Sequence, residues 1–159
     1  MATNAEQAYE IFNAGIGQPA KTGDWLEITQ DRINQFADVT EDHQFIHVDP
    51  EQAALLSPWK VPIAHGFLTL SMLTKLAGSV PLDPATYDGV IMGINYGFDK
   101  VRFINPVKVG SSIRVASALK AVELKDPSTV QITRTMTIEI DGDDKPACVA
   151  DWITRLVYS

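Results

Sequence analysis

The chain has 159 residues, 45% hydrophobic and 21% charged, as expected of one ordinary soluble domain with a proper core. A net charge of −7 and an isoelectric point near 4.8 speak against a general nucleic-acid or anionic-membrane binder. Cys148 is the only cysteine, which rules out an intrachain disulfide and argues against a cysteine-based zinc site.

Residues 4–14 place Ala5, Ala8, Ile11 and Phe12 at helical spacing, with Gly15 and Gly17 as stops. The start, Met1-Ala2-Thr3-Asn4, shows no basic stretch followed by an apolar run, and no segment approaches bilayer length. The expectation is a cytoplasmic globular protein. Gly23-Asp24 precedes a short strand over 25–28. Thr29 is a good N-cap, with Asp31 in the first turn and Ile33, Phe36 and Ala37 as the apolar stripe of a helix ending near 38–42. Asp49-Pro50-Glu51 reads as another helix start, running to Ser57-Pro58. Residues 64–77 are apolar nearly all round, which predicts one buried helix closed by Gly78 and Pro81.

The period then changes. Residues 90–103 are β-rich and interrupted at Gly97-Phe98-Asp99, and Ile113, Val115 and Leu119 share one parity of a second strand. After a turn at 125–128, the even positions Val130, Ile132, Met136, Ile138 and Ile140 alternate with polar odd ones. Arg134 is the exception on the apolar parity. Asp141-Gly142-Asp143-Asp144 turns the chain into a last strand over 147–158. No repeat, linker or low-complexity segment interrupts the plan, so 1–159 reads as a single α+β domain, an antiparallel sheet curled around a buried helix. About five such strands leave an edge, and edges are commonly managed by pairing, which predicts a homodimer with a continuous sheet.

The chemistry-bearing residues crowd into Asp42-His43-Gln44-Phe45-Ile46-His47-Val48-Asp49 and Ile63-Ala64-His65-Gly66, a stretch that holds all three histidines. Asp42 and His47, on a loop between two helices, can hold a water between them, one accepting its proton and the other donating or orienting. Aspartate is a weak base unless burial raises its pKa, and Phe45, Ile46 and Val48 could supply an apolar setting. Such acid–base assistance is worth roughly 10²–10⁴-fold. Gly66 stands where the buried helix begins, so its N–H lacks an intrahelical partner and can face a carbonyl gaining negative charge. Each residue also has a plainer reading. Asp49 is a helix cap, His65 satisfies local backbone groups, and Gly66 permits close packing. His43 and His47 have the i, i+4 spacing of metal ligands, but Gln44 replaces the glutamate of HExxH, which argues against a metal. Between Lys100 and Val122 five basic residues, Lys100, Arg102, Lys108, Arg114 and Lys120, occur with no acidic one, either a solvated strand face or a landing site for phosphates.

The run from Ala37 to Pro50, with Ile63-Ala64-His65-Gly66-Phe67 after it, resembles the R-specific enoyl-CoA hydratase (MaoC-like dehydratase) family, within it the branch that includes nodulation protein N. The runs from Ile94 to Phe103 and from Lys145 to Ala150 are similar to that branch too, so the resemblance covers nearly the whole chain. It implies a hot-dog fold, usually dimeric. It also implies a lyase of fatty acid metabolism that reversibly hydrates trans-2-enoyl-CoA to (R)-3-hydroxyacyl-CoA, with no metal and no organic cofactor. Carried over, Asp42 and His47 are the catalytic pair and Gly66 binds the thioester carbonyl, with His65 and Asn95 as further substrate-binding candidates. The sequence departs from the family pattern at Glu41, which replaces a glycine, and at Gln44-Phe45, which replace Asn-Pro; these bear on the loop's shape. An acyl-CoA thioesterase and a non-catalytic acyl-CoA-binding module are the alternatives, since one fold hosts many functions.

Overall fold

The computed structural model describes residues 2–159. Helix α1 (Asn4–Ala14) opens on a reciprocal cap in which Thr3 Oγ1 accepts from the Glu6 N–H and the Glu6 carboxylate accepts from the Thr3 N–H. Helix α2 (Gln30–Thr40) starts at Thr29, whose hydroxyl accepts from the Arg32 N–H, and stops at Glu41, with φ 60° and ψ 20°. That left-handed conformation is the one glycine usually supplies. Glu41 therefore holds a left-handed turn with a non-glycine residue, at a modest backbone cost.

His47 lies not on a loop but in a single-turn helix, α3 (Phe45–Val48), which the sequence reading missed because four residues show no period. Asp49 then caps α4 (Pro50–Leu56), accepting from the Gln52 N–H at 2.9 Å, as its position before proline predicts. The central helix comes in two segments, α5 (Gly66–Ser71) and α6 (Leu73–Ala77), joined at Met72. Its expected all-round burial fails along one stripe, Phe67, Ser71, Thr74 and Lys75, on which Phe67 stands edge-on to Phe103. A short 3₁₀ turn, Pro84–Tyr87, leads into the sheet.

Two short strands, β1 (Lys21–Thr22) and β2 (Leu26–Glu27), and four long ones, β3 (Val90–Phe103), β4 (Ser112–Asp126), β5 (Thr129–Ile140) and β6 (Cys148–Tyr158), form one antiparallel sheet. Its order is β1-β4-β5-β6-β3, with β2 also on β4. β3 is continuous where an interruption was expected. The irregularity is absorbed as register shifts between Asn95 and Gly97 and between Asp99 and Arg102. The period-2 pattern of β5 turns Val130, Ile132, Met136, Ile138 and Ile140 to the helices. One end of this inner face packs on Leu68, Met72, Leu73 and Leu76 of the central helix. The other end packs on Ala5, Ala8 and Phe12 of α1. Arg134 stands between the two clusters. This is the hot-dog arrangement, an antiparallel sheet curled around a central helix. Among the described residues no helix is long and apolar enough to cross a membrane.

On the outer face, buried Asp151 accepts from Lys120 Nζ and from Thr135 Oγ1. The Lys120 hydrogen bond holds its carboxyl below the usual range. An unfolded aspartate titrates near 3.9, so this contribution is complete above about pH 4 and is lost as pH falls through the lower folded value. Asp151→Asn is therefore expected to be less stable than the parent in urea at pH 7 and to approach it at pH 3. A gap of the same size at both pH values would refute the assignment.

Candidate active site

Three elements converge on the site. The end of α2 and its left-handed turn deliver Asp42, α3 delivers His47, and the strand-like segment before α5 delivers His65 and Gly66. Ile63 N–H donates to Ile46 O and Ala64 N–H to Val107 O, which fixes that segment between α3 and the sheet. Gln30 Nε2 donates to the His47 carbonyl at 2.8 Å and ties α3 to the start of α2.

Both imidazoles have their tautomers set by carbonyls. His47 Nδ1 lies 2.7 Å from Ile63 O. A carbonyl can only accept, so Nδ1 carries the hydrogen and a neutral His47 presents an unprotonated Nε2. His65 Nε2 lies 3.0 Å from the Asp42 carbonyl and donates to it, leaving Nδ1 as a lone pair that is buried without a partner. The two rings stack, centroids 3.8 Å apart and 25° from parallel, and Phe36 closes the other side of His65 at 5.0 Å. His65 thus braces the backbone of one candidate and the ring of the other. This is more than the local backbone role read from the sequence, and no sequence signal marks the stacking.

Burial pushes the His47 pKa below its ordinary value of 6.5; the Ile63 hydrogen bond raises it, the neighbouring His65 lowers it, and Asp42 raises it. His47 is therefore neutral near pH 7 and able to accept a proton. Asp42 is exposed, so the covering by Phe45, Ile46 and Val48 that the sequence suggested is not found. One ligating atom from each of Asp42, His47 and His65 can be taken so that all lie within 4.8 Å. Such a cluster can hold a water or a cation. It is a different set from the 43/47 pair, since His43 turns away to Asp38 at 2.8 Å on the exposed side of α2.

Gly66 begins α5 and lines a cleft of about 230 Å³ together with Thr69, Phe103 and Val107. A Cβ at Gly66 would come within 3.1 Å of the Phe103 ring, so the glycine is fixed here by close packing. Asn95 is not brought to this cluster. It lies on β3 with its Oδ1 accepting from Trp152 Nε1 at 2.7 Å, in the wall of another cavity. Of the five basic residues, Arg114 pairs with Glu139 and lies over Trp25, and Lys120 pairs with Asp151. Lys100, Arg102 and Lys108 are exposed. Arg102 and Lys108 bracket the segment 103–107 that walls the Gly66 cleft.

Asp42, His47 and His65 thus cluster near the start of the central helix, within a sheet of the hot-dog kind. The chain belongs to the MaoC-like dehydratase family, whose MaoC like domain matches residues 12–140. Among characterised relatives, 3-hydroxyacyl-thioester dehydratase Z of Mycobacterium tuberculosis is 49% identical over 144 residues, covering 91% of this chain and 92% of that protein. Nodulation protein N of Rhizobium leguminosarum bv. viciae is 44% identical over 145 residues, covering 90% and 87%. The fold matches the (R)-hydratase from A. caviae involved in PHA biosynthesis with a TM-score of 0.67 at 23% identity, covering 86% of this chain and 95% of that one. It also matches a MaoC-like dehydratase from Rhodospirillum rubrum with a TM-score of 0.71 at 19% identity, covering 91% and 93%.

Proposed function

We propose that the protein reversibly hydrates trans-2-enoyl-CoA to (R)-3-hydroxyacyl-CoA. The observation that carries this reading is the imidazole of His47, kept neutral by burial and turned by the Ile63 carbonyl so that Nε2 is free, beside Asp42 and braced by His65. Water held between Asp42 and His47 adds through its oxygen to Cβ, and the unprotonated His47 Nε2 takes its proton. The electron pair of the C=C bond moves toward the thioester, so charge develops on the carbonyl oxygen against the Gly66 N–H. His47 Nε2 then gives that proton to Cα and is neutral again, with Asp42 orienting the water throughout. Each step uses a group of this chain, and none calls for a metal or an organic cofactor. Arg102 and Lys108 are the proposed contacts of the CoA phosphates, placed on either side of the cleft wall.

The experiment is a turnover assay over enoyl-CoA chain lengths with chiral analysis of the product. Release of free thiol without a 3-hydroxyacyl product would favour a thioesterase, and ligand-induced thermal stabilisation without turnover a binding module.

The working form is proposed to be a homodimer paired along β3. That strand ends the sheet and exposes Ile91, Met92 and Tyr96, an apolar edge that in a lone chain invites association. Light scattering is expected to give the mass of two chains for the parent and of one chain for the Ile91→Asp/Met92→Asp variant. A monomeric parent would overturn this reading.

A further inference from the structure

The inner face of the sheet holds a polar belt that the hydration chemistry does not use. Ser117 on β4, Arg134 on β5, Thr154 on β6 and Asn95 on β3 line one cavity of about 580 Å³ beside the end of α6. That size lies within the ordinary range for small-molecule sites. The remaining wall is largely apolar, with Val80, Leu82 and Leu156 among its members, and no aspartate or glutamate lines it. The cavity shares no lining residue with the Gly66 cleft. Gly66 and Ala77 mark opposite ends of the central helix, roughly 17 Å apart at the usual rise per residue.

Arg134 is the anomaly. Strand alternation puts it where β5 otherwise carries Val130, Ile132, Met136 and Ile138, and an aliphatic side chain would fill the position without penalty. Its Nη2 is buried with no hydrogen-bond partner, and the Phe12 ring faces the guanidinium at 5.6 Å. The phenols of Tyr87, which hydrogen-bonds the guanidinium, and Tyr158 stand around it, and no carboxylate lines the cavity. Burial pushes its pKa down from the ordinary value, as expected of a charge without its counter-charge. A guanidinium presents paired donors that match a carboxylate, and an apolar cavity around it suits a hydrocarbon body.

We propose that this cavity binds a carboxylate carried on an apolar chain, with Arg134 receiving the carboxylate and the apolar wall receiving the chain. The carboxylate has two possible sources, a free organic acid or the far end of an acyl thioester whose carbonyl sits at Gly66. The first stands apart from the hydratase reading and the second rests on it.

The test uses the full chain. Calorimetric titration with sodium octanoate, with octanol as the uncharged control, reads the free acid. KM for an enoyl-CoA with a terminal carboxylate, against its methyl-ended counterpart, reads the thioester. Binding of octanoate but not octanol, weakened about tenfold or more in Arg134→Met and less in Arg134→Lys, supports the proposal. So does a lower KM for the carboxylated thioester that is lost in the same variant while the methyl-ended substrate turns over at the parental rate. Leu82→Trp fills the cavity without altering the arginine and is expected to weaken either ligand, which keeps the test decisive if Arg134→Met does not fold. Octanoate and octanol binding alike, together with no preference for the carboxylated thioester, overturns the proposal. A parent that binds octanoate but hydrates no enoyl-CoA would overturn the functional reading and support this one.

Discussion

His47→Gln is expected to lower kcat for enoyl-CoA hydration by roughly 10²–10⁴-fold while leaving the melting temperature near that of the parent. Glutamine can keep a hydrogen bond toward Ile63 O, the partner of Nδ1 at 2.7 Å, but has no lone pair basic enough to take a proton from water. Asp42→Asn is expected to fall in the same range, because the amide keeps the shape and loses the charge that orients the water. The two roles part in the pH profile. His47 must be neutral to act as a base, so kcat/KM should fall on the acid side as pH drops through the His47 pKa, below the ordinary 6.5. In His47→Gln that limb should vanish from the residual activity. Parental rates in both variants on a short enoyl-CoA would sink the catalytic assignment. His65→Phe probes the bracing separately. Its ring can still stack on His47, but the bond to the Asp42 carbonyl is lost, and the residual rate then reports how much the loop's position matters.

How much of this was legible depends on whether the signal is local. The caps at Thr29 and Asp49 are local chemistry, each satisfying a backbone N–H within three residues, and both stand where the sequence puts them. The inward parity of β5 is equally local. The break at Met72 was not legible, but the exposed stripe was: Ser71, Thr74 and Lys75 are polar at helical spacing from Phe67 and mark the outward face. The bracing of Asp42 and His47 by His65 joins residues up to 23 apart, and only the folded chain shows it. Arg134 is the instructive case. Its place on the apolar parity was visible in the sequence, but the cavity around it and its unpartnered nitrogen came from tertiary packing.

The central helix makes the second large effect. Its segments, α5 and α6, have six and five residues, far short of the roughly 12–15 at which isolated helices become even marginal in water. At the joint, the Met72 N–H donates to Leu68 O at 3.0 Å, and Met72 O accepts from both Lys75 N–H at 3.0 Å and Leu76 N–H at 2.9 Å, a turn tightened within the ladder. Packing must therefore hold the two segments in line. Leu73, 1% exposed, sits at that joint within the cluster formed with Val115, Met136 and Ile138. Leu73→Ala removes this contact and leaves a cavity, an expected loss of about 2–5 kcal/mol out of a total of roughly 5–15. Urea unfolding should show the loss as a lower midpoint, whereas Leu73→Met, which conserves volume, should stay within about 1.5 kcal/mol of the parent. The same packing aims the Gly66 end of the helix at the cleft. Leu73→Ala should therefore lower kcat even at temperatures where the chain remains folded. A fully active, destabilised Leu73→Ala would mean that the contacts of 62–64 with α3 and the sheet hold Gly66 in place without the core beneath it.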